Sequence, residues 1–580
     1  MPRYVNPILD ADWPDPDVIR VGADYYLVAS SFNRVPGLPI LRSSNLIDWE
    51  IVGHALTEVP PARHYALPRH GCGVWAPSIR HHDGRFVVVY PDPDHGLFVV
   101  SSESPSGPWS SPHCLLPGQG LIDPCPLWDD DGRAYVVFGW ARSRSGIANR
   151  LSLIEVQPDL SAPIGEPQTV IDGNDLPGFT TLEGPKIYRR DGWYWIFAPA
   201  GGVETGWQSV FRSRSIWGPY EERRVLEQGS TPVNGPHQGG WVTAPDGSDW
   251  FLHFQQRGCF GRVVHLQPMH WGHPGQDGAD DGWPVFGDAG EPVAEGVGPG
   301  PDRERPDRET PDRDGADRDG APRPSAGEPG RDDDFTGRPT SSIGGVTGDD
   351  PIDGLNRWWH WSANPQPGWH RAEGGTLRLT ARPRVIEDLR QAPHVLAQQL
   401  PGRPATITTS VALNGGADGL RAGLVVLGAG YQWFGLERRQ GRIRVVVGRS
   451  DDPGLETLLE AYPIVDDDAA EEVGLRASVD AVGIVRFSCR TGDAWRPIGP
   501  AYQAEPGRWI GAEVGLFADR PYGGEPGEGR FGAWSVGFDP ATVGGAASES
   551  LMVERGALVV EKRPVVVEKG PVVVEKGIVP

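Results

Sequence analysis

Acidic and aromatic residues recur at one position of a repeated unit. Five times a short strand leads into a turn at or beside Asp-Gly and then into a strongly apolar strand. The residue eight or nine positions before the turn aspartate is Asp15, Trp75, Asp123, Glu183 or His237. Three carboxyl groups at equivalent places repel one another and raise their pKa values, an arrangement found where protons are moved. The pattern therefore indicates proton-transfer chemistry.

Each acid taken alone also has a structural interpretation. Asp15 and Asp123 each precede a proline and could serve as turn residues, and Glu183 could be a solvated strand end. The occurrence of all three at one repeat position argues against three independent structural roles.

The elements that must position these residues are the repeats themselves. Their sequences are PDVIRVGADYYLVASS, APSIRHHDGRFVVVY, PCPLWDDDGRAYVVFGW, GPKIYRRDGWYWIFAPA and GGWVTAPDGSDWFLHFQ, with turn aspartates Asp24, Asp83, Asp131, Asp191 and Asp246. Asp-Gly supplies the positive φ angles of a tight hairpin. Five similar sheets of about four strands predict an all-β fold that begins with a five-bladed β-propeller, with a generic β-sandwich as the alternative. In a propeller the first strand of each blade lines the axis, so the five residues face one pocket.

Glycoside hydrolysis is a reaction that such a pocket could perform. It requires one protonated carboxyl group to assist the leaving oxygen and one ionised carboxylate to activate water or to attack directly. A third acid nearby can hold the proton on the first by charge repulsion. Trp75 offers a flat stacking wall for a sugar ring, and Phe32 offers another.

The rest of the chain divides by composition. Residues 1–295 form the predicted propeller, and residues 296–330 form a predicted disordered linker in which Pro-Asp-Arg recurs at Pro301, Pro306 and Pro311. Residues 331–541 alternate apolar and polar side chains and predict an antiparallel β-sandwich. Residues 542–580 repeat a Val-Glu-Lys unit interrupted by prolines and predict an unstructured tail.

Charge and composition exclude several classes of function. The net charge of -23 argues against a nucleic-acid partner, and the absence of an apolar run of 18 residues argues against a membrane span. The opening MPRYVNPILDADWPDPD has no apolar signal-peptide core, so we expect a cytoplasmic protein. Five scattered Cys residues without CxxC spacing predict neither a disulfide framework nor a zinc site.

Five ordered motifs carry a family resemblance. WPDPDVIRVGADYYLVASSF, GVWAPSIRHHDGRF, LIDPCPLWDDDGRAYVV, TLEGPKIYRRDGWYWIFAP and GPHQGGWVTAPDGSDWFLHFQ resemble glycoside hydrolase family 43. Within it they resemble the β-xylosidase and α-L-arabinofuranosidase branch, which carries a C-terminal concanavalin A-like sandwich. The resemblance covers residues 4–290 closely and 331–540 in pattern only.

The resemblance implies a mechanism and a specificity. Asp15 is the implied general base of an inverting reaction, Glu183 the general acid, and Asp123 the residue that adjusts the pKa and orientation of the acid. Arg262, in CFGRVVHLQPM, is implied to bind sugar hydroxyls. The implied enzyme is exo-acting, because in the resembling branch the sandwich closes one side of the pocket. It releases β-D-xylose, α-L-arabinofuranose or both from oligosaccharides of the plant cell wall.

No cofactor is expected. The predicted substrate-binding residues are Phe32, Trp75, His237 and Arg262. Of these, His237 is expected to be a buried, hydrogen-bonded side chain. Some relatives place a calcium ion beside the equivalent histidine, but calcium prefers oxygen ligands and the motif around His237 lacks an acidic cluster. The predicted partner is an oligosaccharide, and a homo-oligomer is left open.

Three alternatives differ in class or specificity. The first is a five-bladed propeller enzyme that cleaves fructans or sucrose with retention of configuration. Such enzymes resemble one another in an Arg-Asp-Pro motif, and this chain lacks that motif. A non-catalytic sugar-binding propeller would not need all three acids. An arabinanase or galactanase specificity within the same family remains an alternative.

Several neighbouring charged residues are predicted to lie outside the site. They are Asp12 and Asp17 beside Asp15, Asp92 and Asp94 in a second Pro-Asp-Pro-Asp run, and Lys186, which is expected to form an outward-facing salt bridge.

Overall fold

A computed structural model of the protein describes residues 2–272, 282–300, 330–337, 352–384, 386–416, 418–463 and 472–538. Within these ranges the helices are limited to the α-helix Arg142–Ser145 and the 3₁₀ turns Gly173–Asp175, Gly258–Phe260 and Leu389–Gln391. The all-β prediction is confirmed. Residues 301–329 of the predicted linker and the whole predicted tail lie outside the described residues. Over the described ranges, no helix has the length and apolar character needed to cross a bilayer.

Five four-stranded antiparallel sheets follow one another along the chain and form the predicted propeller. Blade 1 consists of Asp17–Val21, Asp24–Val28, Gly37–Ser43 and Glu50–Leu56. Blade 2 consists of Ser78–His82, Arg85–Asp92, Gly96–Ser102 and His113–Pro117. Blade 3 consists of Leu121–Trp128, Ala134–Trp140, Arg150–Val156 and Pro163–Asp172. Blade 4 consists of Lys186–Arg190, Trp193–Ala200, Trp207–Ser213 and Glu221–Glu227. Blade 5 consists of His237–Thr243, Asp249–Gln256, Arg262–Trp271 and Pro284–Phe286.

The hairpins that open the blades use the predicted turn residues in two ways. In blades 2 and 4 both turn residues have positive φ, with Asp83 at 47° and Asp191 at 52°, each followed by a glycine above 70°. This is the backbone twist that a two-residue hairpin favours. In blade 1 the positive φ belongs to Gly22, and Asp24 is already the first residue of the next strand, where it accepts hydrogen bonds from Arg42.

Contacts between neighbouring first strands tie the blades into a ring. Asp17 of blade 1 accepts a hydrogen bond from the backbone N–H of Ile79 in blade 2 at 2.9 Å. Cys125 Sγ of blade 3 accepts one from Ile187 N in blade 4 at 3.3 Å, and the backbone N–H of Trp241 in blade 5 donates to the hydroxyl of Tyr188 at 3.0 Å. The ring is closed at its rim by antiparallel pairing of Arg3–Val5 with Glu295–Val297, which extends the propeller two residues beyond the predicted boundary.

The second region is a sandwich of two eight-stranded sheets. The first sheet contains, in spatial order, His360–Trp361, Leu396–Gln399, Glu513–Pro521, Arg421–Leu427, Tyr431–Arg439, Arg442–Ser450 and Thr457–Pro463, with Arg382–Arg384 beside Glu513–Pro521. The second contains His370–Glu373, Thr376–Thr380, Gly527–Phe531, Ala405–Gly415, Val473–Val479, Ile484–Arg490 and Trp495–Gln503, with Ser535–Phe538 beside Ala405–Gly415. Pairing is antiparallel throughout these strands except for Arg382–Arg384, which runs parallel to its neighbour. Apolar side chains of both sheets meet in one core, where the rings of Phe434 and Phe487 stack at 4.6 Å.

Buried polar contacts hold the sandwich against the propeller. Val35 and Trp361 exchange two backbone hydrogen bonds, at 3.0 and 2.7 Å. The buried guanidinium of Arg34 contacts Glu513 of the sandwich at 2.5 Å and Asp12 of the propeller at 3.0 Å. A charged group that is buried without its partners costs several kcal/mol, so these pairs fix how the two domains meet.

Candidate active site

A pocket of about 300 Å³ lies where the first strands of the blades converge. It brings together six of the seven predicted site residues, contributed by different blades, and a side chain of the sandwich. The lining residues are Asp15, Phe32, Trp75, Ala76, Ile122, Asp123, Thr181, Glu183, Gly202, Val203, Gln238, Arg262 and Trp509.

The carboxylate of Asp15 accepts hydrogen bonds from one charged and one neutral side chain. Its Oδ1 accepts a hydrogen bond from Arg262 Nη1 at 2.5 Å, and its Oδ2 accepts one from the hydroxyl of Ser30, also at 2.5 Å. Charge-assisted hydrogen bonds of this kind are short and fix orientation. Arg262, predicted as a sugar-binding residue, lines the pocket and also positions the Asp15 carboxylate.

Asp123 and Glu183 line the same pocket as Asp15 and interact electrostatically with each other. Asp123 Oδ2 accepts hydrogen bonds from the backbone N–H of Gly184 at 2.8 Å and from Gln238 Nε2 at 3.1 Å. Burial, and then the charge of Asp15, raise the pKa of Asp123 to about 7. Burial, and then the charge of Asp123, raise the pKa of Glu183 to about 8. The two carboxyl groups therefore titrate together as a pair, and both pKa values lie above their ordinary range.

His237 lies behind the pocket wall and is not among the lining residues. Its side chain is fully buried, and Nε2 lies 3.7 Å from Oε1 of Glu183. Burial, and then the positive charge of Arg262, lower its pKa to about 3, so the imidazole is neutral. Among the described residues neither ring nitrogen has a hydrogen-bond partner, although a hydrogen-bonded side chain was expected.

Two aromatic rings form the wall on the side of blades 1 and 2. The centroids of Phe32 and Trp75 are 6.3 Å apart, with ring planes inclined by 52°. The indole N–H of Trp75 donates to the carbonyl of Gly71 at 3.2 Å, and the guanidinium of Arg144 lies 5.3 Å from the Trp75 ring centroid. Asp94 binds Arg144 at 3.1 Å, so this residue supports the wall from outside the pocket.

Some pocket residues were not predicted. Gln238 follows directly after His237, and its place in the GPHQGG motif was a usable signal. Thr181 lies in a loop without a distinctive pattern, and so does Ser30, which binds Asp15 but does not line the pocket. Trp509 comes from the sandwich, nearly 250 residues beyond the last propeller residue of the pocket, and no local sequence signal connects it to the site.

Backbone strain is concentrated in this pocket. Six lining residues other than glycine have positive φ, a region that costs free energy for residues with a side chain. They are Asp15, Phe32, Asp123, Thr181, Gln238 and Trp509, with φ between 35° and 67°. Strain of this kind persists where the surrounding structure enforces it, and it clusters at functional sites.

The prediction for Lys186 was wrong. Its side chain is buried rather than outward-facing, and Nζ donates to the carbonyl of Pro77 and to the hydroxyl of Ser78, both at 2.8 Å. The ammonium group faces inward because these acceptors of blade 2 satisfy it there. Its charge also lowers the pKa of Asp123, against the larger effect of burial.

The other acids that were predicted to lie outside the site do not line the pocket. Asp12 accepts the backbone N–H of Arg262 at 3.0 Å, and Asp92 accepts the hydroxyl of Tyr65 at 2.6 Å. Across the described residues there is no group of three or more His, Cys, Asp or Glu side chains arranged to hold a metal ion.

Comparison with known proteins gives matches over both domains. The model of "Glycosyl hydrolases family 43" matches residues 4–284, and that of "Beta xylosidase C-terminal Concanavalin A-like domain" matches residues 352–534. A Xylanibacter ruminicola protein named "Putative beta-xylosidase" is 34% identical over 517 residues, covering 87% of this chain and 85% of that protein. A Bacteroides ovatus protein named "Non-reducing end alpha-L-arabinofuranosidase BoGH43B" is 31% identical, covering 50% of this chain and 54% of that protein.

A solved structure shares the whole architecture. The xylan beta-1,4-xylosidase of Bacillus halodurans C-125 superposes with a TM-score of 0.72 at 23% identity, covering 92% of this chain and all of that chain. At this identity the likeness establishes the fold, a propeller followed by a concanavalin A-like sandwich. With both family models matched in order, and a relative 34% identical along most of its length, the chain belongs to family 43 of the glycosyl hydrolases.

Proposed function

We propose that the protein is an exo-acting, inverting glycosidase that releases pentose units from oligosaccharides of the plant cell wall. The observation that carries this proposal is the convergence of Asp15, Asp123 and Glu183, from three different blades, on one pocket to which the sandwich contributes Trp509. Two carboxyl groups in different environments on either side of a glycosidic bond are what the reaction requires.

The environments of the three acids support separate roles. Glu183 has a raised pKa and a side chain that is 25% exposed, so it can carry a proton and reach a leaving oxygen. Asp15, fixed by Arg262 and Ser30, is suited to orient and deprotonate a water molecule. Asp123 is tied to the backbone N–H next to Glu183 and raises the pKa of that residue by its charge, so it acts as the modulator.

The dimensions of the pocket support exo action on a small sugar. Its volume of about 300 Å³ is at the lower end of the range for small-molecule sites. Phe32 and Trp75 supply apolar faces for a sugar ring, and Arg262 and Gln238 supply hydrogen-bond donors. Because relatives are named after both xylosides and arabinofuranosides, a panel of 4-nitrophenyl glycosides must decide between these pentoses.

Stereochemistry tests the proposed mechanism. Inverting enzymes separate their two carboxyl groups by about 6.5–9.5 Å to admit a water molecule. We expect the first-formed sugar to have the opposite anomeric configuration from the substrate, as α-xylose from a β-xyloside. Proton NMR of the reaction in its first minutes measures this before mutarotation. A retained configuration would rule out Asp15 as the general base.

The pH dependence tests the roles of Glu183 and Asp123. The general acid must be protonated, so kcat/KM should fall as pH rises through the raised pKa of Glu183, near 8. In Asp123→Asn the negative charge that raises this pKa is absent. The alkaline limb of the profile should therefore move to lower pH. An alkaline limb that stays in place would contradict the modulating role, whatever the loss in rate.

The proposed reaction uses carboxyl groups for both proton transfers and needs no metal ion. The His237 imidazole is buried and neutral, and calcium prefers oxygen ligands. We propose that the enzyme works without a calcium ion.

A further inference from the structure

A lysine side chain crosses the axis of the propeller below the catalytic pocket, further along the first strands of the blades. Lys186 belongs to the first strand of blade 4, and its Nζ donates to the carbonyl of Pro77 and to the hydroxyl of Ser78 on the side of blade 2, both at 2.8 Å. Blades 2 and 4 are not adjacent in a ring of five, so the side chain spans the central channel. Because Lys186 follows Glu183 by only three residues, the crossing lies next to the acidic residues of the pocket.

The ammonium group of Lys186 is buried without a carboxylate in contact. The residue is 1% exposed, and both acceptors of its Nζ are neutral. Across the part of the chain that the structure describes, it forms no ion pair. A buried charge is costly unless charges of opposite sign balance it. For Lys186 the balance has to come from carboxylates further away in the channel or in the pocket.

The next layer of the channel holds one carboxylate, and it already has a cationic partner. Residues two positions further along the same strands face the same way, and these are Arg80 in blade 2 and Tyr188 in blade 4. Arg80 binds the buried carboxylate of Asp17 at 2.7 Å and also contacts Cys125 Sγ at 2.7 Å. Its guanidinium lies 5.4 Å from the ring centroid of Tyr188. The charge of Asp17 is therefore compensated within its own layer, and Lys186 is balanced by the acids of the pocket.

The charges around the carboxyl pair of Asp123 and Glu183 lead to the same conclusion. The charged or titratable groups that face the pair are Asp15 of blade 1, Lys186 of blade 4, and Arg262 and His237 of blade 5. The imidazole is neutral, and Arg262 binds Asp15 at 2.5 Å, so the charges of these two residues largely cancel. Of these groups, the ammonium of blade 4 is the one whose charge is not cancelled by a neighbour.

We propose that Lys186 is a positioning residue for the proton transfers, whose buried charge holds the pair of Asp123 and Glu183 in the singly protonated state that the reaction uses. The proposal rests on the proposed glycosidase function and adds a residue that touches neither the substrate nor the reacting atoms. In the singly protonated state Asp123 is ionised and Glu183 carries the proton. A nearby positive charge favours the ionised form of a carboxyl group, so it opposes the binding of a second proton by the pair.

Neutral substitutions of Lys186 test the proposal. Lys186→Met keeps the apolar stem of the side chain and removes its charge. Without this charge both pKa values of the pair rise, so both limbs of the profile of kcat/KM against pH should move to higher pH by about one unit. This is the opposite direction to the shift of the alkaline limb expected for Asp123→Asn. Lys186→Gln, whose amide N–H can still donate to the carbonyl of Pro77, should show the same shift as Lys186→Met.

Ser78→Ala is the matched control, because it removes one acceptor of the ammonium and leaves the charge, so both limbs should stay in place. Infrared absorption of protonated carboxyl groups adds a readout that needs no turnover. Between about pH 6 and 9 ordinary Asp and Glu side chains are ionised, so the part of this signal that Glu183→Gln removes reports the pair. Its midpoint should lie at higher pH in Lys186→Met than in the unmodified protein.

The outcomes are distinct. Unchanged limbs and an unchanged infrared midpoint in a folded Lys186→Met or Lys186→Gln protein would overturn the proposal. An equal shift in Ser78→Ala would also overturn it, because packing rather than charge would then be the cause. If the unmodified protein hydrolyses no aryl glycoside, the glycosidase proposal fails instead, and the infrared midpoints still decide whether Lys186 controls the protonation of the pair.

Discussion

Asp15→Asn is expected to abolish turnover of every substrate, with kcat lower by roughly 10³-fold or more, near the upper end of what a general base contributes. The amide keeps the size of the side chain and can still accept a hydrogen bond, but it cannot take a proton from water. Water activation is needed whatever the leaving group, so aryl glycosides and oligosaccharides should be affected alike. Initial rates on both substrate types measure this.

A matched control exists within the chain. Asp92 occupies the same place in its Pro-Asp-Pro-Asp tetrapeptide as Asp15 does in the first, and it is also buried, but it binds Tyr65 rather than lining the pocket. Asp92→Asn should retain activity. Substantial turnover by a correctly folded Asp15→Asn protein would contradict its assignment as base.

Glu183→Gln is expected to separate substrates by their leaving groups. Oligosaccharides depart as poor leaving groups that need protonation, so their kcat/KM should fall by about 10²–10⁴-fold. A dinitrophenyl glycoside needs little protonation and should lose far less. Logarithms of kcat/KM plotted against leaving-group pKa across a series of aryl glycosides should give a steeper slope for the variant.

Glu221→Gln is the control for this substitution, since Glu221 lies on the outer strand of the same blade and pairs with Arg212 at the surface. It should leave the slope unchanged. Equal losses for Glu183→Gln on good and poor leaving groups would mean that another residue is the acid.

The propeller and its acids could be predicted because their signals are local and repeated. Four of the five opening hairpins carry Asp-Gly, and the first carries Gly22-Ala23-Asp24 in its place, so counting back from these aspartates reached Asp15, Asp123 and Glu183 without knowledge of their contacts. The structure places these three carboxyl groups in one pocket.

Residues that depend on distant partners could not be predicted in this way. Trp509 reaches the pocket only because buried pairs such as Arg34 with Glu513 dock the sandwich, and these partners are 479 residues apart. Lys186 was misassigned because a charged residue on a strand usually faces solvent, whereas here acceptors of the neighbouring blade satisfy it. The cytoplasmic location and the disorder of the linker and tail stay predictions.

The closing pair of strands has a consequence for biosynthesis. Arg3–Val5 leaves the ribosome about three hundred residues before its partner Glu295–Val297. At about 5–20 residues per second, the N-terminal strand waits for roughly 15–60 s before the ring can close. During this interval the nascent chain exposes the strand edge of Arg3–Val5 and the apolar flank of blade 1 that the last blade will cover. We expect ribosome-bound chains that end before residue 295 to bind chaperones and to be cut readily by proteases, and longer chains to resist both.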